Sequence, residues 1–189
     1  MDWAAATGNL KLVQWLHAHR SEGCTQSGLD EAANNGHLDV IEWLVTNRDE
    51  ISLSASAFAN AAQSGHLHIL QWFVSRGFPL EIAGYNPFDL AAGNNHMAVV
   101  EWLHRQNCLA SSYAMEFSAE SGHLAMIQWL HTHRDEGTTE ETFHMAAHCG
   151  HLDVVQWLSL NRNDVCTTEA VDSAAGNGQL DVLKWLLEN

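Results

Sequence analysis

AANNGHLDVIEWL at 32–44 and AAHCGHLDVVQWL at 146–158 are two copies of one sentence. They share an alanine pair, then Gly-His-Leu-Asp-Val, then Trp-Leu, and they differ most in the two residues between the alanines and the glycine. Working outward from them, Trp15, Trp43, Trp72, Trp102, Trp129, Trp157 and Trp185 stand 28, 29, 30, 27, 28 and 28 residues apart. Gly8, Gly36, Gly65, Gly122, Gly150 and Gly178 keep the same register, with Asn95 in the remaining place. A fixed period of this length marks a repeat architecture. Seven copies run approximately over 1–26, 27–55, 56–85, 86–112, 113–140, 141–168 and 169–189, as one domain spanning 1–189.

The chemistry of one unit explains the pattern. In SGLDEAANNGHLDVIEWLVTN (27–47), Ser27 is a good N-cap for a first short helix. Ala32 and Ala33 let a neighbouring helix approach closely. Gly36 ends that helix in the left-handed region, and asparagine is the next most tolerant residue there, which suits Asn95. A second helix runs from about Leu38. Leu38, Ile41, Leu44 and Val45 make one apolar face, and Trp43 widens it. Asp39, Asp153 and Asp181 fall in the first turn of second helices, where the helix dipole favours negative charge. Arg20, Arg48, Arg76, Arg105, Arg134 and Arg162 follow the first six of these tryptophans by three to five residues, where a cation suits the negative helix end.

A unit of about 28 residues cannot bury its apolar face alone, whereas stacked units can. The expected fold class is all-α, a right-handed α-solenoid of helix-turn-helix repeats. A tryptophan ladder is expected between successive units. At roughly 150–250 Å² per buried indole and about 25 cal/mol per Å², each ring would contribute up to about 4–6 kcal/mol before entropy.

The residues at this point resemble the ankyrin repeat family. NPFDLAA at 86–92 is similar to the family's first-helix segment, and GHLDVVQWL at 150–158 to its second, with tryptophan in place of a leucine. SGLDEAA (27–33), SAFANAA (56–62), YAMEFSA (113–119), ETFHMAA (141–147) and EAVDSAA (169–175) occupy the first-helix slot. The likeness covers the whole chain, and its short tryptophan-bearing units resemble arrays of oomycete type. The usual ankyrin unit has 33 residues, so the hairpin fingers between units are expected to be shortened. SRGFPLEIAGYNPF (75–88) is the longest connection, either a finger-like loop or a local change of curvature.

The resemblance implies a non-catalytic scaffold whose partner protein meets the concave side. It places there the two residues before each glycine: Asn34-Asn35, Gln63-Ser64, Gly93-Asn94, Glu120-Ser121, His148-Cys149 and Gly176-Asn177. They vary while their neighbours do not. A reading surface would look like this, and so would unconstrained surface. Phe78, Pro79 and Tyr85 are a second candidate, since exposed aromatics anchor partners well; alternatively, Phe78 packs under its own loop. A different reading makes the chain a structural spacer or recognition arm of a larger protein. The ends carry no polar capping unit, and the chain is expected to be a segment of a longer array.

Other functions find little support. The 189 residues carry a net charge of −15, which repels phosphate backbones and anionic membranes and favours a partner with a basic face. No apolar run approaches the ~20 residues that cross a bilayer, and MDWAAATGNL is not a signal peptide. Glycine-rich phosphate loops, GxSxG and HExxH are missing, so no catalytic site, cofactor or small-molecule substrate is expected. Cys24, Cys108, Cys149 and Cys166 offer no CxxC pair and are expected to be free thiols in a reducing compartment, cytoplasmic or nuclear. His37, His66, His96, His123 and His151 recur at the start of the second helix, so a structural role is expected for them rather than a metal site. His144, His148, Cys149 and His151 are weighed as metal ligands and set aside, because His148 and His151 straddle the glycine turn. His17, His19, His131 and His133 are expected to be solvated at helix ends.

Overall fold

The computed structural model describes residues 1–80, 84, 86–134, 139–162 and 167–189. The described residues form fourteen helices and no strand. Each repeat supplies a pair. The first three pairs are α1 (Asp2–Ala6) with α2 (Leu10–His19), α3 (Gln26–Asn34) with α4 (Leu38–Asn47), and α5 (Ala55–Gln63) with α6 (Leu67–Ser75). α7 (Pro87–Gly93) with α8 (Met97–Arg105), and α9 (Tyr113–Glu120) with α10 (Leu124–His133), follow. The last pairs are α11 (Glu140–Cys149) with α12 (Leu152–Arg162), and α13 (Thr168–Gly176) with α14 (Leu180–Glu188).

The chain divides into two compact units. One comprises Met1–Ala91 with Ala98–Leu109, the other Ala92–Met97 with Ala110–Asn189. In the first, α1 packs on α3, α3 on α5, and α2 on α4. In the second, α9 packs on α11, α11 on α13, and α12 on α14. First helices therefore stack on first helices, and the alanine pairs are the reason. Ala32, Ala33, Ala61, Ala62, Ala146 and Ala147 are fully buried, and their small side chains let the helices approach closely. The turn between the helices of a pair takes the left-handed conformation, with φ of +83° at Gly36, +86° at Gly150 and +61° at Asn95.

The first helix of the second repeat starts earlier than Ser27 would set it. Its N-cap is Thr25, and the hydroxyl of Thr25 does not cap its own helix. It donates instead to Asp2 Oδ2 of the preceding repeat at 2.6 Å, and the Thr25 amide donates to Asp2 Oδ1 at 2.8 Å. The same link recurs. Ser54, N-cap of α5, donates to Asp30 Oδ1 at 2.6 Å while accepting from the Ala57 amide. Thr139, N-cap of α11, donates to Glu116 Oε1 at 2.9 Å. Each acidic acceptor stands two residues before the small-residue pair of its repeat, Ala4-Ala5, Ala32-Ala33 or Ser118-Ala119. Burial pushes the Asp2 carboxyl up, but the Thr25 hydrogen bonds outweigh it and leave the group below its usual range.

The core differs from the expected one at the tryptophans. In the first unit it is built from Val40, Ile41, Leu44, Phe58, Ile69, Leu70 and Phe73, in the second from Met126, Ile127, Leu130, Phe143, Val154, Val155 and Leu158. None of the seven periodic indoles is fully buried. Trp43, Trp72, Trp102, Trp129, Trp157 and Trp185 are half-buried, and Trp15 is 54% exposed. The buried ladder expected between units is thus aliphatic, and the figure of about 4–6 kcal/mol per ring does not apply. The geometry explains the difference. Val40, Ile41 and Leu44 fill the inner stripe of α4, and Trp43 stands at its edge with Leu38, which is also half-exposed.

The indoles are instead clasped by histidines. His17 meets Trp43 of the next repeat edge-on at 5.1 Å between ring centroids, and His131 meets Trp157 in the same way at 5.2 Å. His19 and His133 stack on Trp15 and Trp129 at 4.4 and 4.5 Å, and their Nδ1 atoms donate to those tryptophans' own carbonyls. These histidines lie at helix ends, as expected, but they also cap their helices. The periodic arginines serve mixed ends. Arg105 donates to the Glu101 carbonyl at 3.2 Å, Arg76 lies over the Trp72 ring at 5.0 Å, Arg20 pairs with Glu22, and Arg48 pairs with Glu50. The Arg20 pair holds the Glu22 carboxyl down at about 2.

Candidate binding surface

The histidine that recurs before five of the seven second helices reaches back to the repeat before it, as His66 and His151 show. His66 Nε2 donates to the Asn34 carbonyl at 3.0 Å, and His151 Nε2 donates to the Glu120 carbonyl at 2.9 Å. Gln179, which takes the histidine's place in the seventh repeat, donates to the His148 carbonyl at 3.2 Å. The acceptors are last-turn carbonyls of first helices, which have no partner within their own helix. The preceding glycine makes room for the ring. A Cβ on Gly36 would lie 2.8 Å from the His66 ring, and one on Gly8 or Gly122 would collide with His37 or His151. These histidines are structural joints, as their periodicity implied.

That joint fixes the position of the variable pairs. Each pair sits at the C-terminal end of a first helix. Asn35, Gln63, Asn94, Glu120, Ser121, His148, Gly176 and Asn177 are exposed; Asn34, Ser64, Gly93 and Cys149 are half-buried. Neighbouring pairs also touch. In the first unit Ser64 Oγ donates to Asn34 Oδ1 at 2.9 Å. In the second, Asn177 Nδ2 donates to His148 Nδ1 at 3.0 Å, and Ser173 Oγ lies 2.9 Å from the same nitrogen. Within each unit the pairs thus form a polar line along the ends of the first helices. Burial and the nearby Glu120 carboxylate push the Cys149 thiol up, which keeps it protonated and weakly nucleophilic.

The second aromatic candidate divides. Phe78 packs inward: its ring lies 5.3 Å from Phe58 and 5.3 Å from Phe73, the loop-packing alternative raised by the sequence. Pro79 is exposed. Tyr85 lies outside the described residues, as do residues 81–83 of the long connection, Asp135 and Glu136, and Cys166. Cys24 and Cys108 are buried free thiols and Cys149 is a half-buried one. Burial, helped by the Asp2 carboxylate, pushes Cys24 up to about 12. Among the described residues no three or more His, Cys, Asp or Glu side chains are grouped to hold a metal ion. No described helix is long and apolar enough to cross a membrane.

One feature of the first helices lies outside the repeat pattern. Tyr113 and Phe117 on α9 are 56% and 37% exposed and stack on each other at 5.5 Å with 16° between ring planes. The signal is present in YAMEF as an i, i+4 aromatic pair, but a pattern found by recurrence is blind to a pair that occurs once.

The family model described as ankyrin repeats (3 copies) matches residues 29–114. A second, described as ankyrin repeats (many copies), matches 1–45, 111–159 and 143–187. The chain belongs to the ankyrin repeat family. Comparison with curated proteins returned no match. Ankyrin repeats generally mediate protein–protein interactions and are typically non-catalytic. In this ankyrin chain the variable pairs stand at the C-terminal ends of the first helices.

Proposed function

We propose that this ankyrin protein is a non-catalytic scaffold that holds a partner protein on its first-helix face. The observation that carries this reading is the line of variable pairs within each compact unit: residues that differ from repeat to repeat stand side by side on a frame of residues that do not. Asn34, Asn35, Gln63 and Ser64 supply donors and acceptors along it in the first unit, and Asn94, Glu120, Ser121, His148 and Asn177 in the second. A chain with 23 acidic and 8 basic residues favours a partner with a basic face over nucleic acid or an anionic membrane.

The test is a set of paired substitutions in folded protein. Asn35→Ala with Gln63→Ala, and Glu120→Ala with Ser121→Ala, are expected to weaken partner binding by about tenfold or more, the scale of losing a few interfacial hydrogen bonds. Substitution of exposed second-helix residues such as Glu42 and Gln128 is expected to leave it unchanged. Equal binding by all variants, each with unaltered helicity and melting temperature, would refute the assignment.

A further inference from the structure

The charge of the chain is sorted by helix layer. Every lysine and arginine, Lys11, Lys184 and the six arginines, lies on or directly after a second helix, and no first helix carries one. In the second compact unit the first helices hold Glu116, Glu120, Glu140, Glu141, Glu169 and Asp172. Glu116 is buried and committed to Thr139; the other five are exposed. Two histidines stand beside them on α11: His144, whose Nδ1 lies 3.9 Å from Glu141 Oε1, and His148, whose Nδ1 is engaged by Asn177 and Ser173.

The exposed aromatic pair lies on the same row. Phe117 rests against Gly93, where a Cβ would come within 2.7 Å of Phe117 Cβ. Asn34, Gln63, Glu120 and His148 hold the place of Gly93 in other repeats, and Gly176, the other glycine there, has no neighbouring atom within 4 Å of an added Cβ. Gly93 thus offers the ring a bare backbone to lie on. Tyr113 stacks along Phe117 and extends the platform. Counted from the alanine pair, Tyr113 holds the register position of Glu141 on α11 and Glu169 on α13, and Phe117 that of Met145. Because α9 packs on α11 and α11 on α13, a line drawn across the row passes from two ring faces to a succession of carboxylates.

We infer that the Tyr113–Phe117 platform and the carboxylates at Glu141 and Glu169 form a docking site for an extended, arginine- or lysine-rich segment of a partner protein. This rests on the scaffold reading and names the chemistry of its partner. A guanidinium is attracted to the face of an aromatic ring and stacks flat on it. Its neighbours along the segment would then lie over carboxylates on a helix layer that carries no lysine or arginine of its own. The occupant is fixed by charge: an acidic or neutral apolar segment could use the rings but would meet the five carboxylates uncompensated.

The experiment uses the full chain and a short fluorescein-labelled peptide alternating arginine with leucine, read by fluorescence anisotropy. The control peptide carries citrulline, which keeps the shape of arginine without its charge. Saturable binding of the arginine peptide alone is expected. Tyr113→Leu with Phe117→Leu keeps apolar bulk but removes the ring faces, and it should weaken binding by about tenfold. Glu141→Gln with Glu169→Gln should weaken it comparably and flatten its salt dependence. Circular dichroism and melting temperature verify that each variant is folded. Undiminished affinity of the folded leucine variant, or equal binding of the citrulline peptide, overturns the site. Self-association of the chain that the same substitutions abolish, without peptide binding, overturns the choice of occupant. If the arginine peptide fails to bind while a protein partner is still lost on changing the variable pairs, this inference falls and the scaffold reading stands.

Discussion

His66 donates from Nε2 to the carbonyl of Asn34, a full repeat upstream, and in doing so lays its ring over Gly36. The contact satisfies a helix-end carbonyl and presses two repeats together at one point. His66→Ala is therefore expected to cost about 1–2 kcal/mol, a lost hydrogen bond plus lost packing. Gly36→Ala should cost at least as much, because φ is +83° and the added methyl meets the imidazole. Urea unfolding monitored by circular dichroism would measure both.

Acid should loosen the joint that His123 makes. Burial holds His123 below its ordinary value; the neighbouring His151 and His96 push in the same direction, and a hydrogen bond with the Gly93 backbone opposes them. The unfolded imidazole protonates near about 6.5. A folded-state value below that means the unfolded chain binds the proton first. The stability due to neutral His123 is complete above about 6.5 and is lost as the pH falls below it. His123→Gln, which installs the residue that the seventh repeat carries at Gln179, should flatten this part of the profile. Unfolding free energies of both proteins between about pH 7.5 and 5.5, the window around the unfolded value, would show it, and parallel slopes would contradict the assignment.

The tryptophans should prove less costly to remove than the leucines beside them. Leu44 and Leu70 are fully buried, and their change to alanine is expected to cost about 2–5 kcal/mol. Trp43 and Trp72 are half-buried, and alanine there should cost about 1–2 kcal/mol. Thermal melts of the four variants give the order directly.

Glu116 and Thr139 form one of the links that tie a helix start to the preceding repeat. Glu116→Gln and Thr139→Val should each destabilise the protein, and the double variant by less than their sum. A coupling of about 1–2 kcal/mol in a double-mutant cycle is expected, since the carboxylate is buried.

Much of this is legible in the sequence because it repeats. The glycine turns, the stand-in Asn95, the start of α4 at Leu38 and the structural duty of His66 and His151 all follow from a pattern present several times over. Burial of the tryptophans is not legible in the same way, because periodicity reports which residues share a helix face, not where on that face the neighbouring helix ends. Trp43 belongs to the apolar stripe and still lies on its rim. The threonine–carboxylate links are hidden for another reason: a threonine before a helix reads as a cap for its own helix, and only the packed structure shows the hydroxyl turned toward Asp2 or Glu116. Tyr113 and Phe117 occur once, so no recurrence marks them. Phe78 finds its place against Phe58 and Phe73 only once the chain has folded.

The links from Thr25 to Asp2, Ser54 to Asp30 and Thr139 to Glu116 join donors and acceptors 23 or 24 residues apart. Duplication of the first, second or fifth repeat as one whole period leaves the hydroxyl that follows it facing a carboxylate, whereas the third and sixth repeats hold Ala59 and His144 at that position. A gain or loss of any other length strands both groups. An array can thus gain one of these three modules whole and keep its seam intact, because the spacing from carboxylate to hydroxyl travels with the module.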